Sequence, residues 1–208
     1  MALAALSTPR LTAEPLAPSH FDVVHSLHSD AVFMQYLGGV RSKPQTLEYL
    51  DRNVGHWRQH GFGIWILRLS GSGEFVGRAG LRFLEIGSSS EVEIGWGLRP
   101  AFWGQGLAAE IARECLVVTR EILGFDTIVA TAQPENIASL RVMERLGMSF
   151  ERRVFLGGIE LDLYRLRLDG PSNSRLQPTL ADARAAEPPN RWADLEGFAR
   201  RRRFSWTR

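Results

Sequence analysis

The spacing of apolar residues changes period twice along this chain, and those changes divide it into elements. Residues Arg10–Leu16 read as a first strand. A helix capped by Ser19 follows to about Leu27, with Phe21, Val24 and Leu27 on one face. Asp30 opens a second short helix that Gly38-Gly39 ends. Ser42 and Gln45 have capping-box spacing before a longer helix carrying Leu47, Leu50, Val54 and Trp57, and Gly61 stops it. The pattern then turns strand-like: Phe62–Leu69, the turn SGSG, Glu74–Leu84, and Glu91–Leu98, an antiparallel meander with Gly77 and Gly80 as candidate bulges. Leu107–Leu123 is the strongest helix, with Leu107, Ile111, Cys115, Val118 and Ile122 on one stripe and Gly124 as its stop. A strand at Asp126–Ala132, an Asn136-capped helix ending at Gly147, and a hairpin of Met148–Leu156 with Ile159–Leu168 complete the pattern. In the last strand the apolar alternation changes phase at Leu163-Tyr164, which predicts a bulge or change of face there.

Composition sets limits on this plan. Of 208 residues 44% are hydrophobic and 23% charged, values of an ordinary globular protein with a core. The organisation expected is one domain over residues 1–169 and a loose extension over 170–208, with a short helix around 192–203. Net charge is +2 overall, yet residues 171–208 hold eight basic and four acidic residues, so the body is slightly acidic. That argues against a nucleic-acid-associated protein. The run of four arginines at 200–203 reads as solvated tail, with RNA or another anion as the alternative partner. The first residues lack the basic region of a secretory signal and no stretch reads as a membrane span, so a cytoplasmic protein without a membrane partner is expected. The single cysteine, Cys115, permits no internal disulfide and sits in an apolar stripe, where a core role outweighs a nucleophilic one.

The stretch RPAFWGQGLAAE, residues 99–110, places Gly104 and Gly106 between a strand and the strongest helix. A helix N-terminus has unpaired N–H groups and a positive dipole end, and residues without bulky side chains let a diphosphate reach those amides. Gly104, Gly106 and Ala108 suit that use; a plain turn is the alternative. No Gly-Lys-Ser/Thr follows, which excludes a P-loop, and the preceding meander does not open the parallel unit of a dinucleotide fold.

The segments EVEIGWGLRPAFWGQGLAAEIARECL and VATAQPENIASLRVMERLGMSFE resemble the GNAT superfamily of acetyl-CoA-dependent N-acetyltransferases. They are most similar to the branch of ribosomal-protein N-terminal alanine or serine acetyltransferases, over about residues 10–168. The resemblance implies an α+β fold with a mixed, mostly antiparallel sheet of six to seven strands, splayed centrally and flanked by helices. It implies acetyl-CoA as cosubstrate, an amine acceptor and no metal, with monomer and homodimer both open. In this family the backbone at Trp96, Gly97 and Leu98 pairs with the pantetheine arm, and Gly95 and Gly97 fit a close approach or a simple bulge. The amides of Gly104, Gln105, Gly106, Leu107 and Ala108 hold the pyrophosphate, and Asn136 adds a side-chain contact to pantetheine beyond its capping role. One departure is Trp103, which stands where the family loop often has Gln or Arg.

Acetyl transfer to an amine requires loss of an amine proton, donors for the carbonyl oxygen, and a proton for the departing thiolate. Backbone N–H groups near Ile94–Gly97 are the expected donors. Glu93 is the candidate base, acting through water, with Glu91 on the same strand face as the weaker choice and a solvated face as the alternative to both. No Tyr lies between Asn136 and Gly147, and Ser139 matches the serine that protonates the thiolate in the ribosomal-protein branch. Backing up the Asn136 cap is its plainer role. Tyr36, Trp57 and Trp65 are candidates to wall an acceptor pocket, with core packing the alternative for each. His56 and His60 have the spacing of a metal pair but no third ligand is evident, and His25 and His28 read as solvated or partly buried. A non-catalytic acyl-CoA-binding module would keep the glycine loop without the acid and base.

Overall fold

The computed structural model describes residues 5–168. An eight-stranded sheet carries strands β1 (Leu6–Ser7), β2 (Leu11–Pro15), β3 (Ile64–Leu69), β4 (Phe75–Ile86), β5 (Ser89–Leu98), β6 (Thr127–Ala132), β7 (Ser149–Leu156) and β8 (Ile159–Arg167). Their order is β1-β2-β3-β4-β5-β6-β8-β7, all antiparallel except β5 and β6. The count exceeds the six to seven expected because the two-residue β1 adds an edge beside β2. Helices are α1 (Phe21–His28), α2 (Ala31–Met34), α3 (Lys43–His60), α4 (Leu107–Val117) and α5 (Ile137–Arg145). Expectations for residues 170–208, including the tail helix and the arginine run, lie outside the described residues.

The period-2 alternation of the strands gives the sheet two buried faces. One face sends Leu11, Trp65, Leu67, Val76, Ala79, Leu81, Ile94 and Ile128 against Leu107, Ile111 and Cys115 of α4. The other presents Ile64, Ile66 and Phe75 to Val24, Leu27, Phe33, Tyr49 and Leu50 of α1, α2 and α3. Cys115 is fully buried, and burial pushes its thiol up to about 12, so it is a core side chain.

Local signals mostly act as read. Asp30 accepts from the Val32 and Phe33 N–H groups. Ser42 and Gln45 form the capping box, and Gly61 closes α3 at φ 73°. Three expectations are corrected. Ser19 lies inside a 3₁₀ turn, Pro18–His20, whose opening Ala17 N–H donates to His20 Nδ1. Leu47 is exposed, because the inward stripe of α3 is Thr46, Tyr49, Leu50, Asn53 and Val54. Ile122 is also exposed, because α4 runs into a π turn at Val118–Ile122. There Leu123 N–H bonds the Val118 carbonyl, and Leu123, five residues on, takes the place facing the core. At Leu163-Tyr164 the change of face occurs: Leu161 and Leu163 pack with Val129 and Ile86, Tyr164 and Leu166 pack on the α4 side, and the register irregularity lies opposite in β7, between Phe150 and Arg152.

Gly77 does sit at a bulge: the register with β3 shifts there, and a Cβ on it would lie 2.3 Å from the Gly97 carbonyl oxygen. Gly80 is instead a close approach, with the Gly63 carbonyl oxygen 2.3 Å from where a Cβ would stand.

Candidate active site

The feature that organises the site is a parted pair of parallel strands. β5 and β6 share one bridge, Glu93 with Val129, and then diverge. Both continue in the same direction, to Leu98 and Ala132, and each is followed by a helix, α4 or α5. Two helix N-termini therefore stand at the carboxyl ends of two separating parallel strands, and the helices pack on each other. This is the place where open sheets take ligands.

Strand phase decides which backbone groups face the gap. The Arg99 N–H bonds the Val76 carbonyl. In an antiparallel ladder alternate residues turn to the same side, so Gly97 and Gly95 also turn their main chain to β4. Trp96 and Leu98 turn theirs to the gap. The Leu98 carbonyl is already taken by the Trp103 indole N–H at 2.6 Å. Trp96 thus offers the free main-chain donor and acceptor of the strand end. Gly97 acts by lacking a side chain: a Cβ there would lie 2.9 Å from Phe33. Above Gly95 the space is open, with no atom within 4 Å of a would-be Cβ.

At the start of α4, Gly104 and Gly106 have φ 73° and 78°, conformations costly for any other residue. Gly106 is the N-cap and brings no capping side chain, so the first-turn amides of Leu107 and Ala108 are not covered by a side-chain acceptor. Gln105 folds back, its Nε2 donating to the Ala101 carbonyl at 2.9 Å. Such an entrance fits a diphosphate. The sequence reading took Arg10 only as the start of a strand. Here its guanidinium donates to the Gln105 carbonyl at 2.9 Å and pairs with Glu110 at 2.6 Å. Thr8 also donates to Glu110, at 2.6 Å. These contacts hold Glu110 below the usual carboxylate range despite its burial, and they offset a negative charge that would otherwise oppose an anion in the first turn.

At the start of α5, the Asn136 side chain accepts from the Ser139 N–H at 3.2 Å, a true cap. Ser139 is half-buried, and its hydroxyl makes no hydrogen bond to a described residue.

Glu93 and Glu91 share a strand face, as read, but neither is a solvated carboxylate. Glu93 is 4% exposed. One carboxylate oxygen accepts from Arg82 Nε at 2.5 Å and the other from the Thr131 hydroxyl at 2.6 Å. The Glu93 carboxylate in turn holds the Arg82 guanidinium above its usual value, against the cost of burial. Glu91 is clamped by both terminal nitrogens of Arg165 at 3.0 Å each, and Arg165 also bonds Glu151. Glu91 therefore braces β5 to β8, which leaves Glu93 as the carboxylate beside the gap. Arg82 and Thr131 were not legible as its partners, because the three residues meet only through the β4–β5–β6 arrangement.

Other candidates resolve simply. Trp65 is fully buried in the core, and the Trp57 indole N–H donates to the Ile64 carbonyl at 2.8 Å. Tyr36 stays half-buried, with its carbonyl accepting from Gln133 at 3.3 Å. The two His56 ring nitrogens serve the Phe62 carbonyl at 2.8 Å and the Phe83 N–H at 3.2 Å, and burial lowers its pKa. One nitrogen donates and the other accepts, so the ring is neutral and committed. Among the described residues no group of three metal-ligating side chains occurs, and no helix is long and apolar enough to cross a membrane.

Known proteins share this architecture. A Bacillus subtilis (strain 168) protein, YkkB, is 33% identical over 128 residues, covering 62% of this chain and 74% of that one. The structure of a putative GnaT-family acetyltransferase from Bordetella pertussis superposes with a TM-score of 0.68 at 28% identity, covering 77% of this chain and 98% of that one. A Salmonella typhimurium acetyltransferase that modifies the N-terminal serine of ribosomal protein L7/L12 has a TM-score of 0.64 at 20% identity, covering 78% and 97%. At that identity the likeness is one of fold alone. Residues 10–149 match the family described as acetyltransferase (GNAT) domain, and the chain belongs to that family of N-acetyltransferases.

Proposed function

We propose that the protein transfers acetyl from acetyl-CoA directly to an amine while both are bound. The observation that carries this reading is the parted β5–β6 gap, with the free main chain of Trp96 on one side and the uncapped α4 entrance beside it. The bound cosubstrate supplies a thioester carbonyl. The amides of residues 104–108 hold its diphosphate, and Trp96, with the Asn136 side-chain amide, holds the pantetheine. The Trp96 N–H stabilises the negative charge that gathers on the carbonyl oxygen.

The amine must be neutral to attack. Glu93 takes its proton through a water, since the carboxylate is too buried and too firmly held to reach far. The Ser139 hydroxyl gives a proton to the sulfur as the C–N bond forms and the C–S bond breaks, and the proton shed by the new amide nitrogen passes through water to restore the Ser139 hydroxyl. Arg82 and Thr131 position Glu93. The test is release of free CoA thiol by the full chain over a panel of primary amines, with Glu93→Gln and Ser139→Ala alongside. Turnover that depends on both residues supports the reading. Unchanged turnover in both variants removes these assignments, and tight CoA binding without turnover on any amine would make the chain an acyl-CoA-binding module.

A further inference from the structure

The face of the sheet that carries Glu93 also carries a concentration of arginine. Along β4, Arg78 and Arg82 alternate with Gly80 on one face, directly opposite Gly97 and Glu93 of β5. Next to them this face carries Ile64, Ile66 and Phe75, packed beneath α1 to α3. Over the arginines lies Tyr49 of α3, with the Arg78 and Arg41 guanidinium carbons 5.3 and 5.5 Å from its ring centre. Tyr49, Arg41 and Arg52 line a depression of about 240 Å³ together with Gln45 and Glu48.

The charges here do not balance. Arg82 is paired with Glu93. Among the described residues no carboxylate lies within 4.0 Å of the Arg41, Arg52 or Arg78 guanidinium, Glu48 included. Arg41 feels Arg78, Arg52 and Arg82 as repelling neighbours, and its pKa is lowered by burial first and by that repulsion second. His28 adds no charge: burial first, then Arg78 and Arg41, push it down to about 3.

Two polar atoms are also left without partners. The Tyr49 hydroxyl and Arg78 Nε are shut off from solvent and have no hydrogen-bond partner, although Tyr49 is only 6% exposed. Buried polar groups are normally satisfied, and an unpaired one costs about 1–3 kcal/mol. Like charges gathered round Tyr49, unpaired donors on Tyr49 and Arg78, and a depression lined by Arg41, Tyr49 and Arg52 describe a receptor for negative charge.

We propose that the acceptor amine carries an oxyanion, a carboxylate or phosphate, which Arg41, Arg52 and Arg78 receive beside the Tyr49 hydroxyl while the amine reaches Glu93. Guanidinium groups bind both anions through paired N–H donors. Arg78 and Glu93 are separated by four residues' worth of strand, roughly 13 Å. An acceptor therefore spans the two ends with its anion several bonds from its nitrogen. The inference rests on the N-acetyltransferase reading and names its substrate class.

The experiment compares matched amines on the full chain by CoA-thiol release. The pairs are 6-aminohexanoate with 6-aminohexanamide, 6-aminohexyl phosphate with 6-aminohexanol, and a peptide whose free N-terminus is followed by Asp residues with its Asn counterpart, each long enough to bridge the two ends with the reach of an arginine side chain. Spermidine serves as the cationic control. The expected result is a kcat/KM at least tenfold higher for the anionic member of at least one pair, and the preferred pair identifies the source of the anion. In Arg41→Gln and Tyr49→Phe that preference falls at least fivefold, mainly through KM, with unchanged CoA affinity by calorimetry. Turnover that favours the neutral members or spermidine overturns this inference and leaves the acetyltransferase reading standing. CoA binding without turnover on any amine overturns both.

Discussion

The two halves of the candidate site, called walls here for the gap between them, are built on opposite principles. The α4 wall is made of backbone: two left-handed glycines, an uncapped helix end and the main chain of Trp96. The α3–β4 wall is made of side chains: four arginines, a tyrosine, and a glutamate held by two partners. A backbone wall suits a ligand that never varies, because amides cannot be substituted. A side-chain wall suits the partner that distinguishes one enzyme from another, because single residues can retune it.

Breaking the backbone wall should have the largest effect. Gly106→Val forces a β-branched residue to φ 78° at the N-cap, so either the loop shifts or strain is stored. CoA affinity by calorimetry should fall about 100-fold, with amine specificity unchanged among the turnovers that remain. A Gly106→Val protein that binds CoA normally would show that the wall does not depend on this loop.

The side-chain wall should respond in kcat rather than in CoA binding. Glu93→Gln keeps the Thr131 and Arg82 contacts in shape while removing the proton acceptor, and kcat should fall about 100-fold with little change in KM for acetyl-CoA. A loss confined to KM would reassign Glu93 to binding. Ser139→Ala should lower kcat by about tenfold. The Asn136 cap to the Ser139 N–H survives that change, so the melting temperature should hold. A loss of stability without loss of kcat would return Ser139 to the capping role.

The effect most remote from turnover concerns pH and stability. His28 is fully buried, with its pKa lowered from 6.5 to about 3, so the unfolded chain takes up a proton that the folded chain refuses. Its contribution to stability is fully present above pH 6.5 and declines as pH falls towards 3. The decline is at most about 1.4 kcal/mol per pH unit. Denaturant unfolding between pH 7 and 4 checks this, and in His28→Gln the dependence over that window should flatten. A slope unchanged by the substitution would place the titration elsewhere.

The same division explains how much was readable in the sequence. The backbone wall is local: Gly104, Gly106, the α4 stripe and the Asn136 cap all lie within 33 residues and signal through short-range rules. So does the Ser42–Gln45 capping box. The side-chain wall draws Arg41, Tyr49, Arg78, Glu93 and Thr131 from four strands and helices and one loop, and no local period links them. One sign was present. Arg78 and Arg82 occupy a strand face whose other members are apolar, and a charge on a covered face asks for a partner. Ile122 was misplaced for a different reason, since a π turn adds a residue to the helical repeat without a sequence signal of its own. Arg10 was missed because its partner Glu110 lies a hundred residues away.

The claim on which the rest depends is that main-chain amides at one helix entrance receive the diphosphate. Amide NMR of the isotope-labelled chain during titration with CoA tests it atom by atom. The account predicts that the resonances of Gly104, Gly106, Leu107 and Ala108 move most, together with that of Trp96. If CoA binds while those five amides stay in place, the diphosphate lies elsewhere and the account is wrong.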